Sequence, residues 1–235
     1  MSGHSHWATV KHTKEAEDAK KSKAFSKIAR LIAVAVRQQG SDPAGNPALQ
    51  AALEKAKAVN MPAKSVERAI QQVDQQAENL EAVTYEAFGS GQITLIIQAI
   101  TDNKNRTRDF LRKTLGRYGG KLAEMGAVKW LFQERGIIHL PDSYHLSEKL
   151  ELEFIEAGVE DIRQENGHLV IHTKPGNLQS VINSLKKQGY QLDGSSIGWV
   201  PKKVIALSAA EKKKLEDLLQ ALEEENIQEI YTNTD

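Results

Sequence analysis

Gly136-Ile-Ile-His-Leu140, Ser147-Glu-Lys-Leu-Glu-Leu-Glu-Phe-Ile-Glu-Ala157, Asp161-Ile-Arg-Gln164, Leu169-Val-Ile-His-Thr173, Leu178-Gln-Ser-Val-Ile-Asn-Ser-Leu-Lys-Lys-Gln188 and Ile197-Gly-Trp-Val200 follow one another with short polar breaks. Short β-rich runs alternate with two segments of helical apolar spacing. The stretch therefore predicts strand, helix, strand, strand, helix, strand, which is the ferredoxin-like order.

Working outward, Val83–Phe88 and Ile93–Ile100 flank Gly89-Ser90-Gly91 and read as a hairpin whose glycines are free to take positive φ. A helical pattern follows over Lys104–Tyr118, with Phe110, Leu111, Thr114, Leu115 and Tyr118 inward; Gly119-Gly120 stops it, and Ala127–Phe132 reads as a further strand. Residues 83–135 thus fall short of a comparable unit. The tail holds the missing parts: Lys203–Leu207, a helix over Ala209–Glu223 and a strand over Ile227–Tyr231. The chain is expected to fold back, leaving residues 136–201 as an inserted domain within a discontinuous one of residues 80–135 plus 202–235.

Residues 1–79 read differently. From Phe25 apolar residues fall at 25, 28, 29, 32, 35 and 36, one helical face, while Lys20, Lys23, Lys27, Arg30 and Arg37 are expected on the opposite side. Gly40-Ser-Asp-Pro43 ends this helix. Asn46-Pro47 is an N-cap with proline at the first helical position, and Leu49, Ala52, Leu53 and Ala56 give the second helix its inner face. Met61-Pro62 opens a third, with Val66, Ala69, Ile70 and Val73 inward. The expected fold class is α+β and multidomain: an N-terminal three-helix bundle, then two α/β ferredoxin-like domains, one discontinuous.

Net charge is zero over 235 residues, yet it is unevenly spread. Residues 1–70 carry 12 Lys/Arg against 6 Asp/Glu, and residues 151–235 carry 9 against 15. A field of that sign at one end of a chain points to a polyanion as partner. There is no cysteine, so disulfides and thiolate metal sites are excluded. The run Leu31–Val36 is too short to cross a bilayer, and the cytoplasm is the expected location.

Gly3-His4-Ser5-His6-Trp7, Lys11-His12, Asp42-Pro43 with Asn46-Pro47, Asn60-Met61-Pro62, Glu67-Arg68-Ala69-Ile70, Thr101-Asp102-Asn103-Lys104-Asn105-Arg106-Thr107, Gly119-Gly120 and Gln228-Glu229-Ile230-Tyr231-Thr232-Asn233 together resemble the YebC family. That family includes a mitochondrial translational activator of cytochrome oxidase. The resemblance implies three domains and a non-enzymatic role, either as a DNA-binding transcriptional regulator or as a ribosome-associated factor that helps translation past proline runs. The chain departs from the family pattern at His6, Thr13, Ser90 and Gln92, which lowers positive charge beside the expected contact surface.

The candidate nucleic-acid contacts fall in three groups. His4, Ser5, His6, Trp7, Lys11, His12 and Lys14 set an aromatic among donors and cations, suited to stacking on unpaired bases; the plainer reading packs Trp7 on the bundle. Lys20, Lys23, Lys27 and Arg30 suit a phosphate backbone, with no base code, or form a solvated face. Lys104 and Arg106 stand where a strand meets a helix, at a site for an N-cap and for an added phosphate. The resemblance implies the ribosome, its rRNA or tRNA, as the expected partner, with DNA as the alternative; no membrane, no cofactor and a monomer are expected. Asp42–Pro47 is a helix stop and restart that would also serve as a probe of a narrow ribosomal site. Gly89-Ser90-Gly91 lacks the lysine of a phosphate loop and is a turn. Chelation by Ser2-Gly3-His4 is incidental, and His168 and His172 read as ordinary exposed residues. An adaptor working through the acidic last third is a further alternative.

Overall fold

The computed structural model describes residues 14–71, 80–141, 143–165, 168–224 and 226–234. It divides into two compact units, one of residues 130–206 with 233–234, the other of residues 14–129 with 207–232. Within the second, α1 (Lys14–Gln39), α2 (Pro47–Ala58) and α3 (Ala63–Gln71) form the helical region. Their core is Ile28, Ile32, Ala35, Leu49, Ala52, Ala56 and Ala69, much of the stripe expected from the spacing. Asn46 joins α1 to α2. It is fully buried: its Oδ1 accepts from Leu49 N at 2.9 Å, while its Nδ2 donates to Ala35 O at 2.7 Å and Gly40 O at 2.8 Å. One side chain thus satisfies the end of one helix and the start of the next.

The sheet of this unit runs β3-β1-β2-β8, all neighbours antiparallel, with β1 Glu81–Phe88, β2 Thr94–Thr101, β3 Lys121–Leu122 and β8 Ile227–Thr232. β2 is central and buried nearly throughout, as its near-continuous apolar run Thr-Leu-Ile-Ile-Gln-Ala-Ile-Thr requires. Helices α4 (Lys104–Arg117) and α7 (Ala209–Ala221) pack on one another, burying Leu111 and Leu115 from the first and Leu215, Leu218 and Leu219 from the second. α4 ends where Gly119 takes φ +75°, with Gly120 N donating to Leu115 O at 2.8 Å. A Cβ on Gly120 would stand 2.6 Å from Phe88 O, so the second glycine lets the chain pass close to β1.

The other unit has β4 (Phe132–Leu140), α5 (Glu148–Glu156), β5 (Asp161–Glu165), β6 (His168–Thr173), α6 (Leu178–Lys187) and β7 (Gly194–Pro201), in sheet order β5-β6-β4-β7, all antiparallel. Phe154 anchors its core with Ile138, Leu140, Leu169, Ile171 and Leu185, and the Tyr190 ring meets Phe154 edge-on at 5.1 Å. Tyr190 donates to Glu153, whose carboxylate pushes the phenol up to about 12.

One expected strand differs, and one tail segment forms no ladder. Ala127–Phe132 is a turn and a short 3-10 segment, and the ladder begins only at Phe132. The cause is Glu86, 4% exposed: its Oε1 accepts from Gly126 N at 2.6 Å, and its Oε2 from Val128 N at 2.7 Å and Lys129 N at 2.9 Å. Three main-chain donors that a strand would spend on a neighbour are collected by one carboxylate. Lys203–Leu207 makes only an isolated bridge, Ile205 to Thr234.

Asn46→Ala leaves two carbonyls and one N–H without this partner and should lower stability by about 2–4 kcal/mol in urea unfolding. For Glu86, burial pushes the carboxyl upward, but the bonds from Gly126, Val128 and Lys129, with the Lys129 charge, outweigh it and hold the group below its usual range. A depressed carboxylate stabilises fully above its unfolded value, about 4.3, and ceases to do so as pH falls through the folded value. Glu86→Gln should cost about 2–3 kcal/mol at pH 7 and flatten the loss of stability below pH of about 4.3, read by thermal melts across that range.

Candidate nucleic-acid interface

Of the expected contacts, His4, Ser5, His6, Trp7, Lys11 and His12 lie outside the described residues, and Lys14 and Lys20 fall on the first seven residues of α1, whose side chains are not described. The remaining cations divide into engaged and open. Lys23 is exposed on α1, with Lys21 beside it. Lys27 and Arg30 do not share that open face. Arg30 Nη1 donates to Asn226 Oδ1 at 2.6 Å and to Ile100 O at 3.5 Å, tying α1 to the approach to β8 and the end of β2. Burial pushes the Lys27 ammonium below the usual lysine range, against the pull of Glu229 and Glu223 and with Lys23 adding to the shift.

Lys27 and Arg30 are engaged because α1 is buried on two sides. Ile28, Ile32 and Ala35 face the other helices, while Ala33 and Val34, about 100° or more around the helix from that stripe, are also below one-tenth exposed. One small residue and a single valine off the main apolar stripe mark the second side only weakly in the sequence. Lys55 adds a further tie, reaching Glu229 Oε1 at 3.1 Å. Asn226, just before β8, and Glu229, within it, thus hold the helical region to the sheet beneath.

At the strand–helix corner, Asn103 caps α4, its Oδ1 accepting from Arg106 N at 3.0 Å, and Thr107 Oγ1 donates to Thr101 Oγ1 at 2.9 Å. Lys104 Nζ lies 2.5 Å from Glu81 Oε2, and Arg106 Nη2 2.6 Å from Asp102 Oδ1. Partial burial pushes the Asp102 carboxyl upward, but Arg106, joined by the Arg30 charge, holds it below the usual range. Arg30, Lys104 and Arg106 are therefore brought to one corner. A cleft of about 500 Å³ opens beside it, lined by Val34, Arg37, Gln38, Leu80, Glu81, Ala82 and Asp102.

Other exposed cations complete the surface of the helices: Lys57 on α2, and Lys64 and Arg68 on α3. Their signal in the sequence is position, since each falls off the apolar stripe of its own short helix. His172, expected to be exposed, is 3% exposed, with Nδ1 3.6 Å from Asp161 Oδ2. β6 lies between β5 and β4, and His172 is in register with both Asp161 and Ile137.

The fold class is that of a mixed α/β protein with an N-terminal helical region and two antiparallel sheets. Residues 5–76 match the TACO1/YebC protein N-terminal domain and residues 80–234 the TACO1/YebC second and third domain, and the chain belongs to that family. A relative from Pseudothermotoga lettingae, named a probable transcriptional regulatory protein, is 44% identical over 99% of this chain and 93% of its own length. One of the same name from Thermotoga maritima is 40% identical over the same shares. The crystal structure of a conserved hypothetical protein from Aquifex aeolicus aligns with a TM-score of 0.85 at 36% identity, covering 98% of this chain and 97% of that one.

The division of the cations has a direct test. Arg30→Ala should lower stability by about 1–3 kcal/mol, because Asn226 and the Ile100 carbonyl lose a charged donor. Lys23→Ala should leave the unfolding midpoint within about 0.5 kcal/mol of the parent. Chemical denaturation of both proteins side by side distinguishes the structural cation from the open one.

Proposed function

We propose that this protein is a non-enzymatic, nucleic-acid-binding regulator of gene expression that acts in the cytoplasm as a monomer on the ribosome, relieving stalls on proline-rich peptides. The observation that carries the reading is the open surface of α1, α2 and α3, where Lys21, Lys23, Lys57, Lys64 and Arg68 are exposed against Asp42, Glu54 and Glu67. An excess of unburied cations on a small helical body attracts phosphate and releases counterions. These cations carry no base code of their own, which favours folded RNA over a sequence-specific duplex site. The acids that a hydrolytic reading would use have other work: Asp102 pairs with Arg106, Asp109 with Arg112, and Glu86 collects main-chain donors.

In this reading residues 1–79 are the binding domain, with His4, Ser5, His6, Trp7, Lys11, His12 and Lys14 adding stacking and donor contacts to rRNA or tRNA. A discontinuous domain, expected over residues 80–135 with 202–235, encloses an inserted ferredoxin-like one, expected over residues 136–201 and carried back to Phe132 by the start of β4; the β2–β8 pairing and the β5-β6-β4-β7 order support this assignment. The names of the relatives support a second reading, a DNA-binding transcriptional regulator.

Sedimentation with ribosomal subunits, with and without nuclease, tests the choice. Changing Lys21, Lys23, Lys57 and Lys64 to alanine should weaken ribosome association and lower its salt slope by about 0.7–0.9 for each phosphate that is no longer neutralised. Trp7→Ala should weaken it by roughly 1–3 kcal/mol with the slope kept. An unchanged slope in the quadruple variant overturns the electrostatic role of the bundle. Preferential binding to a defined duplex DNA at the same ionic strength replaces the ribosomal reading with the transcriptional one.

A further inference from the structure

Helix α4, Lys104–Arg117, carries six cations and one acid in 14 residues, all of them exposed. Its buried residues, Thr107, Leu111, Thr114 and Leu115, define one side. At 100° per residue Arg106, Lys113 and Arg117 fall within about 40° of one another on the other side, spread along roughly 16 Å of helix axis. Arg106 leans on Asp102 and Arg112 on Asp109 at 3.4 Å, whereas Lys113 and Arg117 make no ion pair among the described residues. The open charge is therefore concentrated in the last turns.

Gly116 stands in the middle of that open charge and is exposed. Its same-face neighbours one turn earlier, three and four positions back, are Lys113 and Arg112. Nothing in the fold asks for glycine here: φ is not positive, and a Cβ would meet nothing within 4 Å. Glycine is a costly helix residue, so a bare position on an open cationic face marks where an outside partner comes close to the main chain.

We propose that the Arg106–Arg117 face of α4 is a second nucleic-acid contact, seating the sugar–phosphate backbone of folded RNA, with Lys113 and Arg117 on phosphates and a ribose against the main chain at Gly116. The inference rests on the proposed function for its ligand class, and places a contact outside the helical region. RNA is the occupant because main chain left uncovered by glycine offers hydrogen-bonding edges to a 2′-hydroxyl, which DNA lacks. The outer face offers one amide, Asn105, and no stack of aromatic residues, so shape and backbone are what it reads.

The test is binding of the full-length protein to a mixed-sequence RNA duplex of about 16 base pairs, the span suited to shape-reading contacts, with DNA of the same sequence as competitor. Lys113→Ala with Arg117→Ala should lower the salt slope by about 0.7–0.9 for each phosphate left without its cation. Gly116→Leu keeps every cation and should lose about tenfold in affinity with the slope unchanged. Gly116→Ala is the folding control, expected to melt about 2–4 °C higher than the parent because alanine favours helix. Parental affinity and slope in both the double variant and Gly116→Leu overturn the site while leaving the bundle-based function standing. Equal competition by DNA overturns the assignment to RNA. Absence of RNA binding by the parent protein overturns both this inference and the function beneath it.

Discussion

α1 is buried on two sides at once, and the arrangement of its unit depends on that. One side closes a small core with α2 and α3; the other brings Ala33, Val34, Lys27 and Arg30 out of water. A helix of this kind cannot shift without breaking one packing or the other. It fixes the direction in which the remaining cations point. Arg30 to Asn226 and Lys55 to Glu229 then join the helical region to residues flanking and within β8, so the basic body and the sheet are held through polar groups distant in sequence.

The same residue types thus serve two ends, sorted by surroundings. Arg30 has a neutral amide and a carbonyl as partners, a use suited to a planar, weakly hydrated guanidinium. Lys21 and Lys23 keep their water, which keeps them available to phosphate at little desolvation cost. Lys104 and Arg106 are intermediate, exposed yet leaning on Glu81 and Asp102. Surface pairs of that kind are worth little, so an incoming phosphate displaces them easily.

Much of the fold was legible because its signals are local. The three helices, the hairpin, the Asn46-Pro47 restart and the Asn103 cap each announce themselves within a few residues through apolar spacing, glycine or a capping side chain. The departures came from partners far along the chain. Residues 127–131 have strand-like composition, but Glu86, some forty positions away, takes their donors. Arg30 lies opposite the first apolar stripe, yet Asn226, 196 positions on, is its partner. His172 alternates like a half-exposed strand residue, yet it is buried on a central strand. For the candidate interface the sequence supplied charge and residue type. Which cations stay open was set by tertiary packing.

The pairing of β2 with β8 carries a temporal consequence. Gln98 and Tyr231, which meet across it, are 133 positions apart. At synthesis rates of about 5–20 residues per second, β2 waits roughly 7–27 s for its partner strand. During that interval one edge of Thr-Leu-Ile-Ile-Gln-Ala-Ile-Thr is open, a long apolar template of the sort that recruits other chains. The sheet of β4 to β7 is complete within residues 132–201 and has no such wait. The chain therefore matures in a fixed order, a self-contained sheet first and a central strand sheltered late, which makes the newborn protein a natural client for chaperones that cover exposed strand edges.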